Sequence, residues 1–312
     1  MPPDTNGQDG RATYFADPFV LLVGDVYFAY GTDAPDRPTY QETGRQFPVL
    51  HSKDLQTWKF VGGALVPPSG LEDLAYWAPE VANADGRFVM YYSAGGEQGQ
   101  NHKLRAAVSK DPAGPFTGQD LPLLPDESFS IDAHPFQDPV DGRWYLFFAK
   151  DFFDAPAGTG IAVAPLSDDL LTVSAPPQTI LRAQAEWQIF ERDRVWYGKT
   201  WPSWYCVEGP FVVYRQGKYW LFYSGGRWEA SDYGVGCAVS DHVLGPYVDP
   251  HMNDGPSVLR TIGDLRGPGH NSVVLGPDGN DYICFHAWDH DFGARRLHVS
   301  GLEWAADGPR AI

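Results

Sequence analysis

Three acids stand in short, similar settings at widely separated points of a 312-residue chain. They are Asp17 in FADPFV, Asp132 in SIDAHPF and Glu208 in VEGPFVV. An acid before Pro, or before Gly-Pro, often only shapes a turn. Here the setting recurs in register with a repeat, and turn chemistry does not demand an acid at matching places. Carboxyl groups crowded into one confined space push their pKa values apart, so that one keeps its proton while another stays ionised. Glycosidic bond cleavage uses that division: one carboxylic acid protonates the leaving oxygen and one carboxylate stands opposite, with room for a water in the inverting form. Spacing alone does not say which acid donates and which accepts.

Residues so far apart meet only if the fold carries each to a common axis. A turn followed by alternating aromatics recurs as GDVYFAYGT from Gly24, DGRFVMYYSAGG from Asp85, DGRWYLFFAKD from Asp141, QGKYWLFYSGG from Gln216 and DGNDYICFHAWD from Asp278. The intervals are roughly 60 residues, wider between the third and fourth, which is room for about four short strands per unit. A second element follows each aromatic strand, as in VLHSKDLQTWKFVG from Val49 and CAVSDHVLGPYVDP from Cys237. The expectation is an all-β chain, a five-bladed β-propeller with four antiparallel strands per blade and one domain over residues 1–312, residues 1–11 forming a flexible N-terminal segment. A large β-sandwich is the alternative, but it has no need of five similar units. The fifth unit shows no clear outer strand, so the segment before Asp17 is expected to supply it and close the ring. The segments just upstream of the turns become the innermost strands, and Asp17, Asp132 and Glu208 then face the axis together.

Composition agrees. With 34 Gly, 27 Pro and 14% aromatic residues, the chain suits short strands and tight turns. A net charge of −17 disfavours nucleic acid and anionic membrane as partners. No stretch approaches the ~18 apolar residues of a membrane span, and the first residues lack the apolar core of a secretion signal. Cys206, Cys237 and Cys284 are widely spaced, without the clustering of a disulfide framework or a zinc site, and read as buried thiols of a reducing, cytoplasmic compartment.

The motifs Asp17-Pro18-Phe19, Trp77-Ala78-Pro79-Glu80, Asp132-Ala133-His134-Pro135-Phe136, Glu208-Gly209-Pro210-Phe211 and Gly269-His270-Asn271-Ser272 occur in one order along the chain. In that order the sequence resembles glycoside hydrolase family 43, over about residues 12 to 309. The resemblance implies five-bladed enzymes acting on arabinose-, xylose- and galactose-containing plant polysaccharides with inversion. It implies Asp17 as general base, Glu208 as general acid, and Asp132 as the group that tunes and orients the acid. α-L-Arabinofuranosidase is the favoured activity, with β-xylosidase and endo-arabinanase as alternatives within the family. A carbohydrate-binding propeller without catalysis is the alternative of another class. Fructan hydrolases of a related clan are disfavoured, since their opening motif is missing.

The resemblance also implies that His270 lies on the axis and helps hold a calcium ion, mostly through water; otherwise it is a core histidine bonded to backbone. Sugar faces ask for an aromatic platform, for which Trp77 is the candidate, and Trp201, with Trp204 and Tyr205, is a candidate wall on the leaving-group side. Each of these rings has a purely packing role as its alternative. Arg295, beside Arg296, matches an arginine that reaches the pocket. Glu80 is expected as a supporting or rim group and His134 as structural. His102 has no assigned role.

Overall fold

The computed structural model describes residues 14–97, 99–118 and 121–312; the stretch 1–11 lies outside them. Five antiparallel sheets follow one another along the chain as the blades of a five-bladed β-propeller. Blade 1 holds β1 (Ala16–Val23), β2 (Val26–Thr32), β3 (Gln46–Ser52) and β4 (Lys59–Leu65), and blade 2 holds β5 (Ala75–Ala84), β6 (Arg87–Gly95), β7 (Lys103–Ser109) and β8 (Thr117–Gly118). Blade 3 holds β9 (Ser130–Gln137), β10 (Trp144–Phe152), β11 (Gly158–Pro165) and β12 (Gln178–Arg182), to which β13 (Ile189–Trp196) and β14 (Lys199–Tyr205) are joined. Blade 4 holds β15 (Val207–Arg215), β16 (Lys218–Gly225) and β17 (Gly234–Ser240). Blade 5 holds β18 (Arg266–Leu275), β19 (Asp281–Trp288), β20 (Arg295–Ala305) and β21 (Gly308–Ala311).

Local chemistry explains the hairpins. Asp85-Gly86 and Gln216-Gly217 both take left-handed φ, 52° with 82° and 55° with 76°. That is the two-residue turn whose twist matches the strands it joins. A Cβ on Gly86 or Gly217 would meet nothing within 4 Å, so conformation alone asks for glycine there. Between blades the alternating aromatics interlock: Phe47 packs on Tyr76 and Tyr92 at 6.0 and 5.8 Å, Phe136 on Tyr219 at 6.2 Å, and Phe222 on Trp304 at 6.2 Å. Each such pair adds about 0.5–1.5 kcal/mol beyond burial. The innermost strands close a ring, β1 to β5, β9, β15, β18 and back to β1. At the closure Ser272 Oγ accepts from the Val20 amide at 3.1 Å and donates to the Pro18 carbonyl at 3.0 Å.

Three blades depart from the expected plan. The outer strand of blade 5 is β21, from the C-terminal end, and not the segment before Asp17. The Ala306-Asp307 turn folds the chain straight back onto β20, and so short a loop closes at lower entropic cost than a distant segment would. Phe15 instead donates its amide to the Arg295 carbonyl at 2.9 Å, at the inner start of β20. Blade 4 has three strands, and the chain beyond touches β17 at the Val239–Val248 bridge. Pro246 and Pro250, which lack an N–H, flank that contact. The wide third interval holds the β13–β14 hairpin, whose Tyr205 pairs with Gly158 of β11. A short helix, α1 (Pro38–Thr43), with proline at its first position, joins β2 to β3.

Candidate active site

Every inner strand breaks register near the axis: between Ala16 and Phe19, Trp77 and Glu80, Ile131 and His134, Glu208 and Phe211, and Gly269 and Ser272, with a second break in β18 between Arg266 and Gly269. Inside each of the first five breaks one residue is left-handed: Asp17 (φ 50°), Ala78 (48°), Asp132 (58°), Gly209 (55°) and His270 (48°). Asp and His tolerate this region better than most residues and Gly enters it freely. A bulge of this kind re-aims the side chain. Asp17, Asp132 and His270 therefore hold equivalent places. Glu208 does not share that register, contrary to the reading of three acids in step. It stands one residue earlier, where blades 2 and 3 carry Trp77 and Ile131, and Gly209 takes the left-handed position.

The three acids nonetheless face one cavity of about 450 Å³, together with Trp77, His270 and Arg295. Tyr14, Arg37, Gln46 and Trp228 also line it. The carboxylates come from blades 1, 3 and 4, and all are buried or nearly so.

Their surroundings differ in sign. Burial opposes ionisation of Asp17, yet the Arg295 guanidinium at 3.2 Å, with His270 and His286, holds its carboxyl well below the usual carboxylate range. Burial itself lowers His270, and lowers His286 to about 4, so near neutral pH both rings are mostly uncharged and Arg295 is the operative cation. His286 Nδ1 accepts the Asp17 amide at 3.0 Å and lies 3.3 Å from Asp17 Oδ1. Thr32 Oγ1 donates to Asp17 Oδ2 at 2.6 Å. Arg295 is held by Tyr14, whose hydroxyl receives Nε at 2.7 Å, and lies over the Trp228 ring at 4.7 Å. Asp132 goes the other way: burial, then the charges of Glu208 and Asp17, raise it well above its ordinary value, against one hydrogen bond from the Gly209 amide at 3.0 Å. Glu208 is also raised, by burial first and then Asp17, although Tyr233 donates to Oε1 at 2.8 Å and the Cys206 thiol bonds it too.

Other expectations are redistributed. Trp201 is not among the cavity-lining residues. It lies in β14, edge-on to Trp204 at 5.2 Å with the Lys199 ammonium over its ring at 3.3 Å, in a separate cluster with Ala157. The hairpin built by β13 and β14 carries it along blade 3 and away from the axis. Arg296 pairs with Asp289 at 3.3 Å, and of this adjacent pair Arg295 is the one that lines the cavity. Glu80 is no rim group: it is buried two residues beyond the left-handed position and meets His134 Nδ1 at 2.7 Å, in a layer shared with Phe211. His102 backs the Trp77 indole at 3.5 Å, nearly parallel, and burial lowers it to about 3, so it stacks as a neutral ring. Sequence reading missed Tyr14, Thr32, Cys206, Tyr233 and His286. Only Cys206, two residues before Glu208, had a local signal.

A calcium ion takes six to eight oxygen ligands. Among the described residues no group of three or more His, Cys, Asp and Glu forms a metal-holding set. His270 Nδ1 instead sits 3.5 Å from Asp17 Oδ1 and 4.0 Å from Asp132 Oδ2. These residues build no protein cage for so hard an ion.

Comparison with known proteins agrees with the geometry. The chain is 26% identical to an extracellular exo-α-(1→5)-L-arabinofuranosidase of Cellvibrio japonicus, across 94% of this chain and 84% of that one. It is 28% identical to a β-D-galactofuranosidase of Aspergillus niger, across 88% and 74%. A crystal structure of a thermostable family-43 glycoside hydrolase superimposes with a TM-score of 0.81 at 30% identity, covering 99% of this chain and 95% of that one. With the sequence model for glycosyl hydrolases family 43 matching residues 12–309, the chain belongs to that family and is an inverting glycoside hydrolase.

Proposed function

We propose that the chain hydrolyses terminal α-L-arabinofuranosyl bonds of plant polysaccharides or their fragments, with Asp17 as base, Glu208 as acid and Asp132 as the group that tunes and orients the acid. What carries this reading is the opposite electrostatic setting of buried carboxylates around one cavity. Asp17, kept ionised by Arg295, is suited to take a proton from water. Burial favours a proton on the Asp132–Glu208 pair, and we assign that proton to Glu208, the general acid that the family resemblance implies. That proton goes to the leaving oxygen while the water held by Asp17 attacks from the other face, inverting the anomeric carbon. Trp77, backed by His102, offers a flat apolar wall for the sugar, and Arg295 donates to its hydroxyls.

Arabinofuranose is favoured because it is the sugar in the name of the relative from Cellvibrio japonicus. That relative is named extracellular, which favours a secreted enzyme over the cytoplasmic placement expected from the thiols. The three thiols are buried, and burial protects a free cysteine in either compartment. Among the described residues no helix is long and apolar enough to cross a membrane. Release of 4-nitrophenol from arabinofuranoside, xyloside and galactofuranoside substrates tests the assignment. The arabinofuranoside is expected to turn over fastest. A faster xyloside would move the activity to xylosidase, turnover of linear arabinan alone to endo-arabinanase, and binding without any turnover to a carbohydrate-binding propeller.

A further inference from the structure

The five left-handed residues at the axis are tied to their neighbours by one repeated contact. At four of the five blade junctions the amide N–H of the left-handed residue is received by a side chain from the second strand of the preceding blade. Thr32 Oγ1 takes the amide of Ala78 at 2.9 Å, Ser93 Oγ that of Asp132 at 3.2 Å, Ser224 Oγ that of His270 at 2.8 Å and His286 Nδ1 that of Asp17 at 3.0 Å. These four acceptors share one place in the ladder. Each lies opposite the residue just before the left-handed one of its own blade: Thr32 opposite Ala16, Ser93 opposite Trp77, Ser224 opposite Glu208, His286 opposite Gly269. A buried amide needs an acceptor, and the pseudo-fivefold plan supplies it from this position.

Blade 3 breaks the plan. Opposite Ile131 it carries Ala149, fully buried, whose methyl group accepts nothing. The amide that this position would have received belongs to Gly209, and it goes to Asp132 Oδ2 at 3.0 Å. Blade 1 shows the other solution: Thr32 stands between carboxylate and amide, donating to Asp17 Oδ2 at 2.6 Å while receiving Ala78.

We propose that Ala149 is a positioning residue for the hydrolysis: by withholding the acceptor that the other blades supply, it commits the Asp132 carboxylate to the main chain next to Glu208 and so locks the two acids in one geometry. The inference rests on the reading of Asp132 and Glu208 as the acid pair, but its first readout does not depend on activity. A carboxylate held through a hydroxyl, as in blade 1, stands one atom farther from the next strand. A carboxylate that grips the next strand directly moves with the residue it must orient.

The experiment combines Ala149→Ser with Asp132→Ala. Amide hydrogen exchange at Gly209, read by NMR, is expected to quicken about tenfold or more in D132A, since its only acceptor is removed. In the double variant the introduced hydroxyl is expected to return exchange to near the wild-type rate, as Ser93 and Ser224 do at their own junctions. A149S alone is expected to lower kcat about tenfold with KM little changed, because Asp132 is released from the strand of Glu208. Ala149→Gly, which changes volume but adds no acceptor, is expected to keep both the wild-type kcat and the slow exchange of Gly209. Fast exchange in the double variant, or wild-type kcat in A149S, would overturn the proposal. Should A149S fail to fold, Asp132→Asn against Asp132→Ala decides: the amide oxygen of D132N is expected to keep Gly209 protected, and equal exchange in both overturns the lock. If D132A leaves kcat at the wild-type value, the acid-pair reading fails, while the lock is judged by Gly209 exchange alone.

Discussion

Asp17 in blade 1 and Asp132 in blade 3 occupy the same bulge, with the same left-handed backbone and similar burial, and end with opposite protonation preferences. The strand delivers each carboxyl to the axis; it does not set the proton. What differs lies across the cavity. Asp17 faces the guanidinium of Arg295 and hydrogen bonds from Thr32, whereas Asp132 faces another acid, Glu208, and has one amide to favour its charge. Two copies of one local structure acquire opposite electrostatic settings because Arg295 reaches Asp17 from blade 5 and Glu208 reaches Asp132 from blade 4.

The largest effects should come from neutralising the two groups that exchange protons with the substrate. Asp17→Asn is expected to lower kcat about 10³-fold on every glycoside, while Glu208→Gln does so on natural oligosaccharides and much less on 4-nitrophenyl glycosides, whose leaving group needs little protonation. Equal losses on both substrate types in steady-state assays would break the assignment of acid and base.

Exchanging the cation tests the blade 1 half. Arg295→Met leaves Asp17 a buried carboxylate without its partner, at a cost of about 3 kcal/mol in a denaturant titration. The sign in kinetics follows from the depressed pKa of Asp17: its charge is lost only as pH falls through that low value, so removing Arg295 raises the value and moves the acid limb of kcat/KM to higher pH. An unmoved acid limb would separate Asp17 from that limb.

Asp132→Asn sharpens the blade 3 half. The charge of Glu208 raises Asp132, and because repulsion between two carboxylates is mutual, removing the charge of Asp132 lets Glu208 ionise more readily. The alkaline limb of kcat/KM, which reports loss of the acid's proton, is expected to move to lower pH, with kcat reduced about tenfold.

The smallest effect is on stability. A carboxyl whose folded pKa is raised favours the fold while protonated in both states, and that advantage fades as pH rises from about 4.3 through the folded value. Above that window Glu208→Gln is expected to melt about 2–4 °C higher than the wild type, and below it at the same temperature. A lower melting point at neutral pH would show that Glu208 contributes more to packing than its ionisation costs.

Much of the fold was legible because its signals are local. The turn glycines, the period-two aromatics and the five inner motifs each act within a few residues, and all lie where expected. The strand that completes blade 5 was misread because GPRA carries no alternation of its own; only the turn before it makes it a strand. Trp201 was misread because a tryptophan shortly before an acid looks the same in sequence whether its hairpin points to the axis or away from it. The one-residue offset of Glu208 was invisible because a bulge changes register without changing composition.

By itself the amino-acid sequence determined the five hairpin-bearing units, the acids that could do chemistry and the strands that carry them, since turn conformation and side-chain alternation are properties of neighbouring residues. Only the tertiary structure decided how the surroundings of those acids differ in charge, that Trp77 and Arg295 line the cavity while Trp201 does not, and that Ala149 leaves Gly209 to Asp132. Those outcomes depend on distances between groups from different blades, and through-space electrostatics and hydrogen bonding have no counterpart in linear spacing.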